Sequence, residues 1–273
     1  MGLLSPAIDH RTSDCVAALF DMDLRARRRD RAARKGVDLF LFDRVFADCL
    51  DRIALLRRRF EHGLLIGCPD PQWPERLGEF VERVTVRDPG AKFASRSGGD
   101  IITEDHWEPP AGAYDLVLAV GTLDTVNDLP LALRLIRYAI RRDGLLIGAL
   151  SGGDTLPQLR AAMRAADGVA GAAAPHVHPR IEAAALAPLL AEAGFANPVV
   201  DIDRVPVSYP SLGRLVGDLR AMASTNLLLS RPQFMGKAAR DAAEQAFAQA
   251  GDGSRTIETF EVLHFAAWTP SQG

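Results

Sequence analysis

The sequence predicts an α/β fold: an open, doubly wound, mostly parallel seven-stranded sheet with a helical segment ahead of it. Three observations carry that reading. Residues 114–120 (YDLVLAV) and 145–150 (LLIGAL) are unbroken apolar runs, as strands buried on both faces must be. Between them Leu129, Ala132, Leu133, Ile136 and Ile140 recur on one side of a helix, and two buried strands joined by a helix form a right-handed βαβ unit. Near the end, 256–268 (TIETFEVLHFAAW) alternates apolar with polar residues, as a late antiparallel strand does.

Taken in order, 19–35 reads as a strongly basic helix, with Arg25, Arg27, Arg28, Arg29, Arg31, Arg34 and Lys35 set against Asp21, Asp23 and Asp30. Such a run is a solvated helix face or a partner-docking arm. A second helix, about 40–60, gathers Phe42, Val45, Phe46, Cys49, Ile53 and Leu56 on one side. The first strand is then 63–68, followed by a crossover helix at 71–82 and strands at 84–88 and 100–105. The segment thus divides into a helical portion, 1–62, and a sheet domain, 63–273. Asp128 is placed to cap the helix that follows the fourth strand, with Pro130 in its first turn. Arg141, Arg142 and Asp143-Gly144 are expected to close it. Helices are expected at 154–166 and 180–193, with a flexible Gly/Ala stretch, 168–175, between them. Strand 198–209 and helices 211–223 and 231–249 complete the list.

Composition narrows the function classes. A net charge of −3 gives no global attraction to nucleic acid. No run approaches the roughly 20 apolar residues that cross a bilayer. The opening MGLLSPAIDHRTSD lacks a basic segment followed by an apolar one, so it does not read as a secretory signal. Cys15, Cys49 and Cys68 are odd in number and widely spaced, which argues against a disulfide scaffold or a zinc site and for a reducing cytoplasm. The Ala- and Arg-rich wording reads as bacterial.

The block NDLPLALRLI…DGLLIGALSGGDTL, the later PHV, and VSYPSLGRLVGDLRAM resemble the complex I assembly factor 5 family. So does the opening LFDMDLRARRRDRAARKG, and the likeness spans about 19–232. The resemblance implies a Rossmann-like class I methyltransferase fold, related to the malonyl-acyl-carrier-protein methyltransferases of biotin synthesis. It implies S-adenosylmethionine as cofactor and a protein side chain as target, by arginine hydroxylation on a respiratory complex I subunit or by methyl transfer. It also implies that the early helices form a lid over the cofactor cleft.

By that resemblance the cofactor residues are Gly67 and Cys68 after the first strand, Asp88 after the second, Glu104 and Asp105 after the third, and Val120 and Gly121 at the exit of the fourth. Asp88 lies about 20 residues past Gly67, as ribose-binding acids do; an acid ending a strand is also an ordinary solvated loop end. Two departures stand out. Pro69 and Pro71 replace family glycines, and proline lacks an N–H and fixes φ near −65°. Leu123-Asp124-Thr125-Val126-Asn127-Asp128 stands where the family has Leu-His-Trp-Val-Asn-Asp. Trp107 either stacks on a base or plugs the core.

On the substrate side, Asp154 is a pocket contact or base, or a helix cap. His176 and His178 invite a metal reading, yet no HxD or HxE pair supplies a third ligand; the family has Ser at 178, and pocket lining is preferred, with no metal. Tyr209 closes the pocket or is a half-buried strand aromatic. Asp154, His176 and Tyr209 are the catalytic candidates. No P-loop, CxxC or HExxH pattern occurs. Three functions follow: a cofactor-dependent enzyme acting on protein, a non-catalytic assembly or scaffold protein docking through Arg25–Lys35 on complex I or an assembly intermediate, or a small-molecule methyltransferase.

Overall fold

The computed structural model describes residues 17–35, 39–232 and 234–271. The opening segment and Cys15, on which two of the expectations fall, lie outside them. Strands β1 (Phe60–Ile66), β2 (Val81–Asp88), β3 (Asp100–Ile101), β4 (Tyr114–Val120), β5 (Ile140–Ser151), β6 (Ala196–Tyr209) and β7 (Thr256–Trp268) form one sheet. Their order is β3-β2-β1-β4-β5-β7-β6, with β7 antiparallel to both neighbours and the rest of the named ladders parallel. The chain starts in the middle of the sheet and winds outward in both directions. This places the switch point between the carboxyl ends of β1 and β4, where open α/β sheets bind ligands.

Strand alternation splits the core into two layers. Leu65, Leu116, Leu118, Ile147 and Phe260 face one side, packed by helices α2 (Phe40–Leu55), α6 (Pro157–Ala170), α8 (Leu212–Ala221) and α9 (Lys237–Gln249). Leu64, Val117, Leu146 and Leu263 face the other, packed by α5 (Leu129–Ala139) and α7 (Ala183–Glu192). The remaining helices are α1 (Met22–Lys35), α3 (Trp73–Leu77) and α4 (Ala91–Arg96). Trp73 lies flat on Phe46, ring centroids 4.1 Å apart, and its Nε1 donates to Asp43. It belongs to the core beneath α2.

Several boundaries differ from expectation. α2 stops at Leu55 and β1 begins at Phe60, because Phe60 is a fully buried strand residue and not the end of a helix. α3 is one short turn. α4 was not anticipated; six residues give too little periodicity to read. β3 is only two residues long, so Glu104 and Asp105 sit beyond it in a turn. Residues 141–144 do not close α5 but open β5: Arg141 reaches buried Asp115 at 2.8 Å and Glu61 at 2.7 Å, which pulls the chain straight into the sheet. Asp128 does cap α5, accepting from the Leu131 amide at 2.8 Å. α6 runs through 168–170, so part of the Gly/Ala stretch is helical.

Asp154 does not cap α6. The helix starts at Pro157, whose missing N–H suits the first turn, and the Glu258 carboxylate from β7 accepts from Gln158 N at 3.2 Å and Leu159 N at 2.8 Å. A cap brought from a hundred residues away replaces the local one.

Candidate functional site

The carboxyl edge of β1, β2 and β4 gathers the acids singled out from the sequence, and α1 closes over them. Arg25 and Arg29 stand one helical turn apart, so they share a face. Arg25 grips Glu104 through both terminal nitrogens, each contact 2.7 Å, and donates to the Thr122 carbonyl at 2.8 Å. Arg29 holds Asp88 in a second two-point pair, Nε to Oδ1 at 2.8 Å with Nη2 on Oδ2, and its guanidinium lies 5.2 Å from the Phe93 ring centre. Exposure is 3% for Arg25, 5% for Arg29 and 0% for both acids. Burial alone would discourage the Arg25 charge; Glu104 more than offsets this and raises its pKa. The basic segment is therefore not simply a solvated face: two of its arginines are core ion pairs, since only the acids at the sheet edge can compensate charges buried there.

Asp88 is fully occupied. Besides Arg29 it accepts from the Cys68 amide at 2.8 Å and the Gly90 amide at 2.7 Å. Gly67 has φ +82°, and a Cβ there would lie 2.4 Å from the Val120 carbonyl oxygen, so β1 and β4 approach where only glycine fits. Gly121 has φ +64°, and a Cβ there would meet the Phe42 ring at 2.7 Å. Asp105 accepts from the amides of Asn127 (3.1 Å) and Asp128 (3.0 Å) and thereby fixes the turn after β4. Cys68 is buried and its thiol is pushed up to about 12 by burial, so it stays protonated at neutral pH. What is left of the cleft is a hollow of about 30 Å³, lined among others by Arg25, Arg29, Phe42, Gly121, Asp124 and Met222. That is room for a water or two.

The catalytic candidates do not converge. Asp154 is an exposed partner of Arg204 at 3.4 Å. Tyr209 is buried in the core, its phenol pKa raised by burial and by Asp218. His176 pairs with Asp167 at 2.8 Å and lines a separate, larger cavity. His178 is buried; its Nε2 accepts from the Leu227 amide at 2.7 Å, and burial, followed by Arg180, lowers its pKa to about 3. Trp107 is in the core beside Arg87, 5.7 Å from its ring centre. Among the described residues no group of three His, Cys, Asp or Glu is arranged to hold a metal ion, and no helix is long and apolar enough to cross a membrane. The residues that sequence reasoning missed are Arg25 and Arg29 as plugs of the cleft; their acids lie 79 and 59 residues further on, and no local pattern joins them.

No family model matches the chain. It is 31% identical over 267 residues to the arginine-hydroxylase NDUFAF5, mitochondrial, of Danio rerio, covering 92% of this chain and 83% of that protein. It is 32% identical over 162 residues to the malonyl-[acyl-carrier protein] O-methyltransferase of Laribacter hongkongensis, covering 59% and 53%. Among solved structures, YcgJ of Bacillus subtilis aligns with a TM-score of 0.56 at 11% identity over 81% of this chain and 97% of its own. The N-methyltransferase NodS of Bradyrhizobium japonicum, in complex with S-adenosylhomocysteine, aligns with a TM-score of 0.50 at 15% identity over 91% and 100%. At these identities the structures speak to the fold alone, and the fold is the Rossmann-like class I methyltransferase fold.

Proposed function

The chain belongs to the arginine-hydroxylase NDUFAF5 family, and from that premise we propose that it is an S-adenosylmethionine-dependent enzyme that modifies a protein side chain. The observation that supports this reading is the set of acids at the switch point. Asp88 and Glu104 offer acceptors for a ribose and an adenine amino group, and Gly67 and Gly121 allow backbone to come close. Those residue types fit the cofactor; their acceptors are engaged by Arg29 and Arg25. A nucleoside therefore enters only by exchanging with the two guanidiniums, and α1 is the lid that such an exchange moves. S-adenosylmethionine, when bound, supplies an activated methyl group. The chain's own part is to hold the ligand at Asp88 and Glu104 and to present the target in line. Pro69 and Pro71 leave the Cys68 amide, already committed to Asp88, as a fixed part of the loop.

The finer reading is modification of an arginine on a respiratory complex I subunit or assembly intermediate, carried over from the NDUFAF5 relatives, in a reducing, cytoplasmic setting. The exposed part of Arg25–Lys35 is its docking element. Incubating the chain with arginine-containing peptides and methyl-labelled S-adenosylmethionine, followed by intact-mass spectrometry, tests it. A gain of one methyl on arginine supports the reading; unmodified peptide contradicts it and leaves a scaffold role.

A further inference from the structure

A cavity of about 730 Å³ opens between α1, α6, α8, α9 and the irregular stretches near 176–180, 224–232 and 234–235. Its volume is that of a site for a small organic ligand. Its floor is apolar: Leu159, Met163, Val216, Leu219 and Met235 line it. Its walls are charged with one sign. Six arginines face it, namely Arg28, Arg31, Arg180, Arg220, Arg231 and Arg240, against one carboxylate, Glu244.

Two of the six are compensated from outside the lining, Arg180 by Asp124 and Arg231 by Asp21. Arg28 and Arg240 reach only main-chain carbonyls, those of Asn226 and Met235. Arg31 and Arg220 have no carboxylate within ion-pair distance among the described residues. The excess is local, because the chain as a whole carries −3. Burial, then the like charges of Arg231 and Arg31, lower the pKa of Arg28. Guanidiniums gathered round a hollow without counter-charge repel one another, and an anion relieves that cost. A bare anion would leave the floor wet, since apolar surface gains only from an apolar partner.

We propose that this cavity binds an amphipathic anion, with a phosphate or carboxylate head among Arg28, Arg31 and Arg220 and an alkyl or acyl chain across Leu159, Val216 and Met235. The site is separate from the acids at the switch point and stands whether or not those acids take a nucleoside. A cationic side chain finds no complement in it.

Calorimetric titration of the full chain with decyl phosphate, below its micelle concentration, tests the assignment. Decanoate, inorganic phosphate and decyltrimethylammonium are the comparison arms. Decyl phosphate or decanoate should bind at least about tenfold more tightly than either inorganic phosphate or the cationic amphiphile. Which of the two anions binds identifies the head group. Arg31 and Arg220 are exposed, so the double variant Arg31→Glu/Arg220→Glu should fold normally, as its melting curve will report, and lose about tenfold or more in affinity. Val216→Trp, which fills the floor, should remove the advantage of the chain-bearing anions over inorganic phosphate. Equal binding of anionic and cationic amphiphiles, or unchanged affinity in a folded charge-reversal variant, overturns the proposal. So does inorganic phosphate binding as tightly as decyl phosphate.

Discussion

One helix serves two very different hollows. On the face of α1 that carries Arg25 and Arg29, every charge is matched: each guanidinium is locked on a buried carboxylate and the space beside it is nearly closed. On the face that carries Arg28 and Arg31, the charges are unmatched and the space is large. The difference shows what decides whether a basic stretch is structural or available. Where acids are buried opposite it, arginine becomes part of the core; where none is, it remains a site in need of a partner.

The comparison breaks most visibly through Arg29. Replacing it with Ala strands Asp88 in the interior with only backbone donors, and unfolding in urea should show a loss of about 3–5 kcal/mol. Arg31→Ala, two residues further on and on the unmatched face, should change stability by less than about 0.5 kcal/mol. Similar losses at both positions would mean that the two faces do not differ as described.

A smaller effect comes from His178, which borders both stretches of the large cavity's wall. Its folded pKa, about 3, lies below its unfolded value near 6.5, so the unfolded chain binds a proton that the folded chain refuses. Stability is therefore complete above about pH 6.5 and declines as pH falls toward 3, by on the order of 2 kcal/mol at pH 5. His178→Gln keeps an acceptor for the Leu227 amide and lacks the titration. Its melting temperature should consequently fall less between pH 7 and pH 5 than that of the unaltered chain; parallel curves would contradict the assignment. Smaller again is the effect of Glu258→Ala, which removes the carboxylate at the start of α6. It should cost about 1 kcal/mol in the same unfolding measurement, an effect typical of a lost cap.

The fold was legible because its signals are local. The runs at Tyr114–Val120 and Thr256–Trp268 carry their period in consecutive residues, and both were located to the residue. Asp128 announces its cap by sitting directly before Leu129-Pro130. The site was less legible because its deciding contacts are distant. Glu104 and Asp88 could be picked out as acids after strands, but their partners come from 79 and 59 residues earlier, and no local pattern names them. Asp154 shows the converse: its sequence position suggested a cap, and a strand residue 104 positions later, Glu258, performs that task instead. The large cavity was invisible for the same reason, since four helices and two loops contribute to it.

Arg25 and Arg29 occupy Glu104 and Asp88; under the proposed function a nucleoside takes the same acids, so ligand and closed α1 exclude one another. Hydrogen exchange across residues 22–35, with and without saturating S-adenosylhomocysteine, tests this directly. Exchange in α1 should be faster when the ligand is bound, as the two guanidiniums leave Glu104 and Asp88. Saturable binding with unchanged or slower exchange in that helix would contradict it.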